Sequence, residues 1–399
     1  MLDQQLLDAI NKTPYYQKFY STIHLEDLRN MSIIKKQDVI NNIEDFLSNG
    51  SFDADLIRVS TSGSTGNPLQ ITWNSLDYCS SLMEIWRYRK KFGLTPLDNF
   101  VTAHISYASN NNVFINKMII QKNNLSLSKV YFDEDTLLGY YNMVSEFQPK
   151  WMLLPPSFLY GMLNFLHKRQ LRLPSSIILI ELTGEYCPKE IFEYFEMEYA
   201  NIEWRLLYGM QEFNVIGYGS PNGLEILQNN VLVEIARDDG SRAEQGEEGA
   251  IIVTGLKNKV MPLVRYETGD VGYIDSNRKL VISRARSNDS ITTESGIYDG
   301  SLFWLVILKL KLELALDILQ FQVILNDNTL YFYLQLGEDT ELDKIQIIKY
   351  IRRILLKFYD LSYDVIVKYV HKIQPFTKNN KIKFFINNQN VIAEKGVIL

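Results

Sequence analysis

Along the first fifty residues apolar positions fall in short helix-spaced groups. The segment reads as a string of short helices, with Pro14-Tyr15-Tyr16 in one connection and Lys35-Lys36 in another. From Leu56 to about Gly209 short apolar runs at 100–103, 129–132, 151–154 and 177–181 alternate with helical stretches. That alternation predicts βαβ units and a largely parallel sheet. From Val231 onward the runs crowd together, at 231–236, 250–254, 271–274 and 280–283, as in a small β-rich subdomain. After Arg284 the pattern predicts a helix over 303–319, a hairpin of 321–325 with 329–336, and a helix over 342–357. Ile345, Ile348, Ile351 and Leu355 share one face of that last helix, which must be buried. The whole reads as α/β, with a compact α+β region of roughly a hundred residues at its C-terminal end.

Composition narrows the class of function. With 399 residues, 46% hydrophobic and 22% charged, the chain is long enough for two or three domains and excludes extensive disorder or fibrous repeats. A net charge of -6 leaves no basic excess to neutralise a nucleic acid, so small ligands are expected and no nucleic-acid partner. Cys79 and Cys187 are too few for a disulfide framework or a zinc site and suit a reducing cytoplasm. His24, His104, His167 and His371 are scattered. The N-terminal residues lack a basic segment leading into an apolar run, so no signal peptide is expected. The most apolar segment, 303–308, meets Lys309, Lys311 and Glu313 at once, far short of a membrane span.

One loop stands out chemically. RVSTSGSTGNPLQ, residues 58–70, packs four hydroxyls and two glycines into Thr61, Ser62, Gly63, Ser64, Thr65 and Gly66, between two segments that read as strands. Glycine-exposed amides and hydroxyls form a concave donor set suited to a phosphate, although an ordinary Ser/Gly turn fits equally. It is not a Walker loop, because Asn67 stands where a lysine would be needed. Four other stretches are weak singly. YGMQE, residues 208–212, places Tyr208, Gly209 and Glu212 at a strand end, where a solvated glutamate after a turn is the plain alternative. PLVRYETGD, residues 262–270, ends in Asp270, able to accept from both hydroxyls of a ribose diol or simply to make an Asx turn. RARSND, residues 284–289, reads as a charged linker, and FTKNNKIK, residues 376–383, as a solvated basic turn.

In this order and with these separations the five stretches together resemble the adenylate-forming superfamily of acyl-CoA synthetases, peptide-synthetase adenylation domains and luciferases. The phenylacetate-CoA ligase branch is most similar: TPYYQK at 13–18 resembles its opening, PPS at 155–157 its acyl-site strand end, and LTGE at 182–185 its adenine-side turn. The resemblance covers nearly the whole chain. It implies a large N-terminal domain over 1–285, a small mobile C-terminal domain over 286–399, and a hinge near 286–288.

It also implies the chemistry. A carboxylate attacks the α-phosphate of ATP to give an acyl-AMP and pyrophosphate, and the acyl group then passes to the thiol of coenzyme A or of the phosphopantetheine on an acyl carrier protein. By motif position, Thr61 to Gly66 cradle the β and γ phosphates, Glu212 helps hold Mg²⁺, Tyr208 with Gly209 flanks the adenine, and Gly184 and Glu185 line its other side. Asp270 binds the ribose, Arg286 contacts the nucleotide, and Lys381 bridges the carboxylate and α-phosphate as catalytic lysine. His104, Tyr107, Pro156 and Ser157 fall in the acyl pocket. The segment HISYASNNN, 104–112, offers an aromatic and amides but no carboxylate to pair an α-ammonium, which favours an aryl or compact neutral acid. Asn67, Gln211, Ala285, Asn288 and Asn380 depart from the family pattern, while Glu212, Asp270, Arg286 and Lys381 are kept. A degenerate relative that binds without turnover and a stand-alone amino-acid adenylating enzyme are the alternatives.

Overall fold

The computed structural model describes residues 4–49, 55–61, 69–104, 117–129, 131, 133–284, 290–293, 296–300, 302–337, 343–373 and 384–388. The chain is mixed α/β and folds as two compact units, one of residues 1–96 with 205–285, the other of 97–204 with 286–399. The chain crosses between the two units at 96/97, 204/205 and 285/286.

In the first unit the strands Leu56–Ser60 and Gln70–Asn74 pair antiparallel, as expected of the segments flanking the hydroxyl-rich loop. Their inner side chains Ile71 and Trp73 are buried with Leu69. Between residues 203 and 284 the strands pair antiparallel and lie in the order Val231–Ala236, Gly249–Gly255, Tyr266–Ile274, Leu280–Arg284, Gly223–Ile226, Asn214–Ser220, Glu203–Met210. The antiparallel region thus begins at Glu203, earlier than the Val231 that strand spacing suggested. The short N-terminal helices cover this sheet, and Tyr16 shows how. Pro14–Gln17 is a helical turn with proline at its first position, not a connection. It buries the Tyr16 ring, whose hydroxyl donates to Pro262 O at 3.0 Å and accepts from Val264 N at 2.9 Å. Lys36 likewise lies inside a helix, Lys36–Asn41, and the Lys35 amide donates to Asp38 at its start.

In the second unit the strands Leu179–Leu182, Trp151–Leu154, Phe100–His104 and Asn124–Ser128 pair in parallel, with Met118–Gln121 antiparallel at the edge. Parallel pairing requires crossovers, and the helix Glu134–Phe147 leads from Asn124–Ser128 to Trp151–Leu154 while Pro156–Lys168 leads on to Leu179–Leu182. The third strand is Asn124–Ser128, so the run at 129–132 begins just past its end. The C-terminal sheet runs Asp364–Tyr369, Thr329–Leu336, Ile318–Asn326, Phe385–Asn387, with the central pair antiparallel and the outer pairs parallel. Helices Leu302–Leu314 and Lys344–Tyr359 accompany it.

Two expectations here need correction. The helix forecast over 303–319 stops at Leu314, because Ala315 takes a left-handed φ of 53° and a strand opens at Ile318. The buried stripe of Lys344–Tyr359 is Ile347, Tyr350, Ile351, Ile354 and Leu355, while Ile345 is 62% exposed. That stripe follows the i, i+3, i+4, i+7, i+8 pattern from Ile347, and Ile345 lies off it. Among the described residues no helix is long and apolar enough to cross a membrane.

Candidate active site

The first unit brings four of the motif residues onto two neighbouring structures. Glu203–Met210 and Asn214–Ser220 form a hairpin whose ladder shifts register between Tyr208 and Gly209. At that bulge the backbones come so close that a Cβ on Gly209 would lie 2.1 Å from Asn214 O, so only glycine fits. The turn that follows carries Glu212, which is 3% exposed. Its carboxylate accepts a hydrogen bond from the Tyr266 hydroxyl at 3.0 Å. Tyr266 opens the strand Tyr266–Ile274, which also carries Thr268 and Asp270.

Asp270 sits on a bulge of that strand, not on a free turn. Between the pairs Ile252 with Glu267 and Ala250 with Val271 the register shifts, and Gly269 takes a φ of 83°. Thr268 braces the bulge: its hydroxyl donates to Ile251 O at 3.0 Å and accepts from Asp270 N at 3.1 Å. The Asp270 carboxylate then accepts from the Tyr208 hydroxyl at 2.7 Å. Two residues assigned from separate stretches, 62 positions apart in the chain, are thereby joined directly. Thr61 closes the mouth of the hydroxyl-rich loop, its N donating to Leu69 O and its hydroxyl accepting from Leu69 N, both at 2.9 Å. Ser62, Gly63, Ser64, Thr65 and Gly66 lie outside the described residues, as do Tyr107, Arg286 and Lys381.

The second unit holds the remaining residues. Pro155 and Pro156 open the helix Pro156–Lys168 without any side-chain cap of their own. The cap comes from elsewhere in the chain: both carboxylate oxygens of Glu185 are engaged by Ser157, one by its hydroxyl at 2.9 Å and the other by its N–H at 3.1 Å. A carboxylate at this end of a helix is favoured by the unpaired amides and by the helix dipole. Glu185 is carried there by the turn after Leu179–Leu182, in which Gly184 takes a φ of 79°. Close by, Cys187 is buried, and its thiol is pushed well above the usual range by that burial and by the Glu185 charge. Ser157 and Glu185 border a cavity of about 30 Å³ that Lys129, Tyr160, Trp304 and Phe321 also line. That volume accommodates a water molecule or two. His104 ends its strand with Nδ1 2.8 Å from Ser126 Oγ.

Sequence reasoning missed Tyr266, Thr268 and Tyr16. The first two stood within the quoted 262–270 stretch, but the bulge at Gly269 interrupts the strand alternation that would have tied them to Asp270. Nothing local marks Tyr16 as the support for residues 262–264. Magnesium on a nucleotide is typically held by one or two carboxylates together with phosphates. Glu212, a single carboxylate steered by Tyr266, fits that mode, and no group of three or more His, Cys, Asp or Glu suited to a metal occurs among the described residues.

No protein-family model matches the chain. It is similar to protein CapK of Staphylococcus aureus, with 22% identity over 389 residues, covering 92% of this chain and 81% of that one. It is similar to the phenylacetate-coenzyme A ligase of Escherichia coli (strain K12), with 23% identity over 318 residues, covering 72% of this chain and 69% of that one. Among solved structures, a 2-hydroxyisobutyryl-CoA ligase in its postadenylation state, in complex with R3-HIB-AMP, superposes with a TM-score of 0.72. The identity is 13%, covering 98% of this chain and 89% of that chain.

Proposed function

We propose that this chain, phenylacetate-CoA ligase-like in sequence and built on the fold of the adenylate-forming superfamily, is an AMP-forming acid–thiol ligase. A carboxylate oxygen of the substrate attacks the α-phosphorus of ATP, the bond to the bridging oxygen breaks, and pyrophosphate leaves. In the second step a thiolate attacks the acyl carbonyl of the acyl-AMP, and AMP departs as the thioester forms. Coenzyme A is the favoured acceptor, with carrier-protein phosphopantetheine as the other thiol of the same chemistry. An aryl or compact neutral acid is the favoured substrate, because residues 104–112 carry no carboxylate for an α-ammonium. A reducing cytoplasm suits the two unpaired cysteines, Cys79 and Cys187.

The roles follow from the chemistry. Attack of one anion on another is eased by donors set in place beforehand. Thr61 to Gly66 donate to the outer phosphates, Asp270 accepts from the ribose hydroxyls, and the ring of Tyr208 covers the adenine, with Gly184 and Glu185 on its other side. Glu212 would hold Mg²⁺, which when bound neutralises phosphate charge and orients the leaving pyrophosphate. Lys381 meets the charge that develops at the α-phosphate, Arg286 contacts the nucleotide, and residues 286–399 act as a lid hinged at 286–288. His104, Tyr107 and Pro156 border the acyl group.

The observation that carries this reading is the 2.7 Å hydrogen bond from Tyr208 to Asp270, which sets a ring and a diol acceptor side by side as adenosine needs. The test is nucleotide choice. Asp270→Ala is expected to raise the KM for ATP at least ten-fold with the KM for the acid little changed, and 2′-deoxy-ATP is expected to be a poor substrate for the wild type. A wild type that uses deoxy-ATP as well as ATP contradicts the ribose role of Asp270.

A further inference from the structure

We infer that Ser157 is a positioning residue for the nucleotide-side turn at 183–185, not a wall of the acyl pocket. Ser157 engages both oxygens of Glu185, through its hydroxyl at 2.9 Å and its amide at 3.1 Å, so the serine is committed to that carboxylate. The demand for this contact arises at the start of the helix Pro156–Lys168. Pro155 offers no side-chain acceptor and Pro156 no N–H, so Ser157 carries the first amide that needs a partner, and Glu185 meets it. The same contact matters to the turn. Gly184 takes a φ of 79° in that turn. Anchoring of the next residue, Glu185, to the helix end restrains the turn. Thr183 N adds one bond to Leu154 O at 3.1 Å on the strand side.

The inference rests on the adenylation reading, in which the backbone of Gly184 and Glu185 flanks the adenine, and it assigns Ser157 to the nucleotide half of the reaction. A residue that touched the acyl group would change the KM for the acid. One that sets the adenine-side turn changes the affinity for ATP.

The test measures ATP binding to the full chain by calorimetry without acid, then KM for ATP and for the acid, in wild type, Ser157→Ala, Ser157→Thr and Glu185→Gln. Loss of one hydrogen bond to a carboxylate predicts about ten-fold weaker ATP binding for Ser157→Ala. Recovery to within about two-fold is expected for Ser157→Thr, which keeps the hydroxyl. Glu185→Gln, which keeps a partner for the serine but drops the charge, is expected to weaken ATP binding as well, with the KM for the acid unmoved in all three. Unchanged ATP affinity in Ser157→Ala, or an acid KM that moves as much as the ATP KM, overturns the positioning role. A wild type that binds ATP yet forms no acyl-AMP overturns the adenylation reading alone, and the binding comparison still decides Ser157. A wild type that binds no ATP overturns both.

Discussion

At the residue scale the site depends on hydroxyls that hold carboxylates. Tyr266 steers Glu212 and Tyr208 reaches Asp270, while Thr268 braces the bulge beneath. Motif position singled out Glu212, Asp270 and Tyr208 as candidates, because each stands at a fixed place in a short stretch. Their supports were less legible, since Tyr266 and Thr268 read as ordinary strand residues until pairing shows what they face. Two tests belong here. Tyr266→Phe deletes one donor to a carboxylate only 3% exposed, and is expected to lower stability by about 1–3 kcal/mol in urea unfolding. Glu212→Ala is expected to raise the Mg²⁺ concentration needed for half-maximal pyrophosphate release, and an unchanged requirement removes Glu212 from the metal role.

At the scale of elements, the hairpin Glu203–Met210 with Asn214–Ser220 is what delivers Tyr208 and Glu212 together. Its bulge leaves no room for a side chain at Gly209, where a Cβ would come within 2.1 Å of Asn214 O. Gly209→Ala must therefore separate the two strands, and a loss of roughly 3 kcal/mol with collapse of ATP binding is expected, read from the urea midpoint and calorimetry. A midpoint within the scatter of wild type contradicts the close approach. Elements with a clean period were legible: 151–154 and 231–236 are strands at the predicted bounds. The end of the helix Leu302–Leu314 was not, because its apolar run continues through Leu316, Ile318 and Leu319 into the strand and the reversal falls on Ala315 without a glycine to mark it. Glu185 as the cap of a helix that opens 29 residues earlier, at Pro156, was equally hidden, since long-range caps leave no local pattern.

At the scale of the whole molecule, the second unit gathers 97–204 with 286–399, and a half-buried lysine binds its parts. Lys311 donates to Asn164 Oδ1 and to the Tyr194 hydroxyl, and its ammonium lies 4.8 Å from the centre of the Tyr194 ring and 5.7 Å from that of Tyr160. Asn164 is held in turn by its amide, which donates to Ile318 O at 2.8 Å. Burial lowers the Lys311 pKa from 10.5 to about 8, against the charges of Glu198 and Asp317, which raise it. Between those values the unfolded chain binds the extra proton, so stability rises with pH across the window, and the cost of burying the ammonium is felt in full below it. The whole difference is on the order of 3 kcal/mol. Unfolding midpoints of wild type are therefore expected to climb relative to those of Lys311→Met as the pH rises from about 8 towards 10.5. Parallel profiles for the two proteins contradict the burial of the charge. No periodic pattern announces such a lysine, since Lys309 and Lys311 read alike in the sequence.

The central claim, that the chain joins a carboxylic acid to AMP, is tested most directly by incubating purified protein with ATP, Mg²⁺ and a mixed library of acids without any thiol, and detecting products by mass. The expected result is an acyl-AMP of an aryl or compact neutral acid, with one pyrophosphate released for each, and suppression of that product by on the order of a hundred- to a thousand-fold in Lys381→Ala but not in Lys378→Ala. Absence of acyl-AMP from every acid with ATP bound, or release of ADP and phosphate in place of AMP and pyrophosphate, contradicts it.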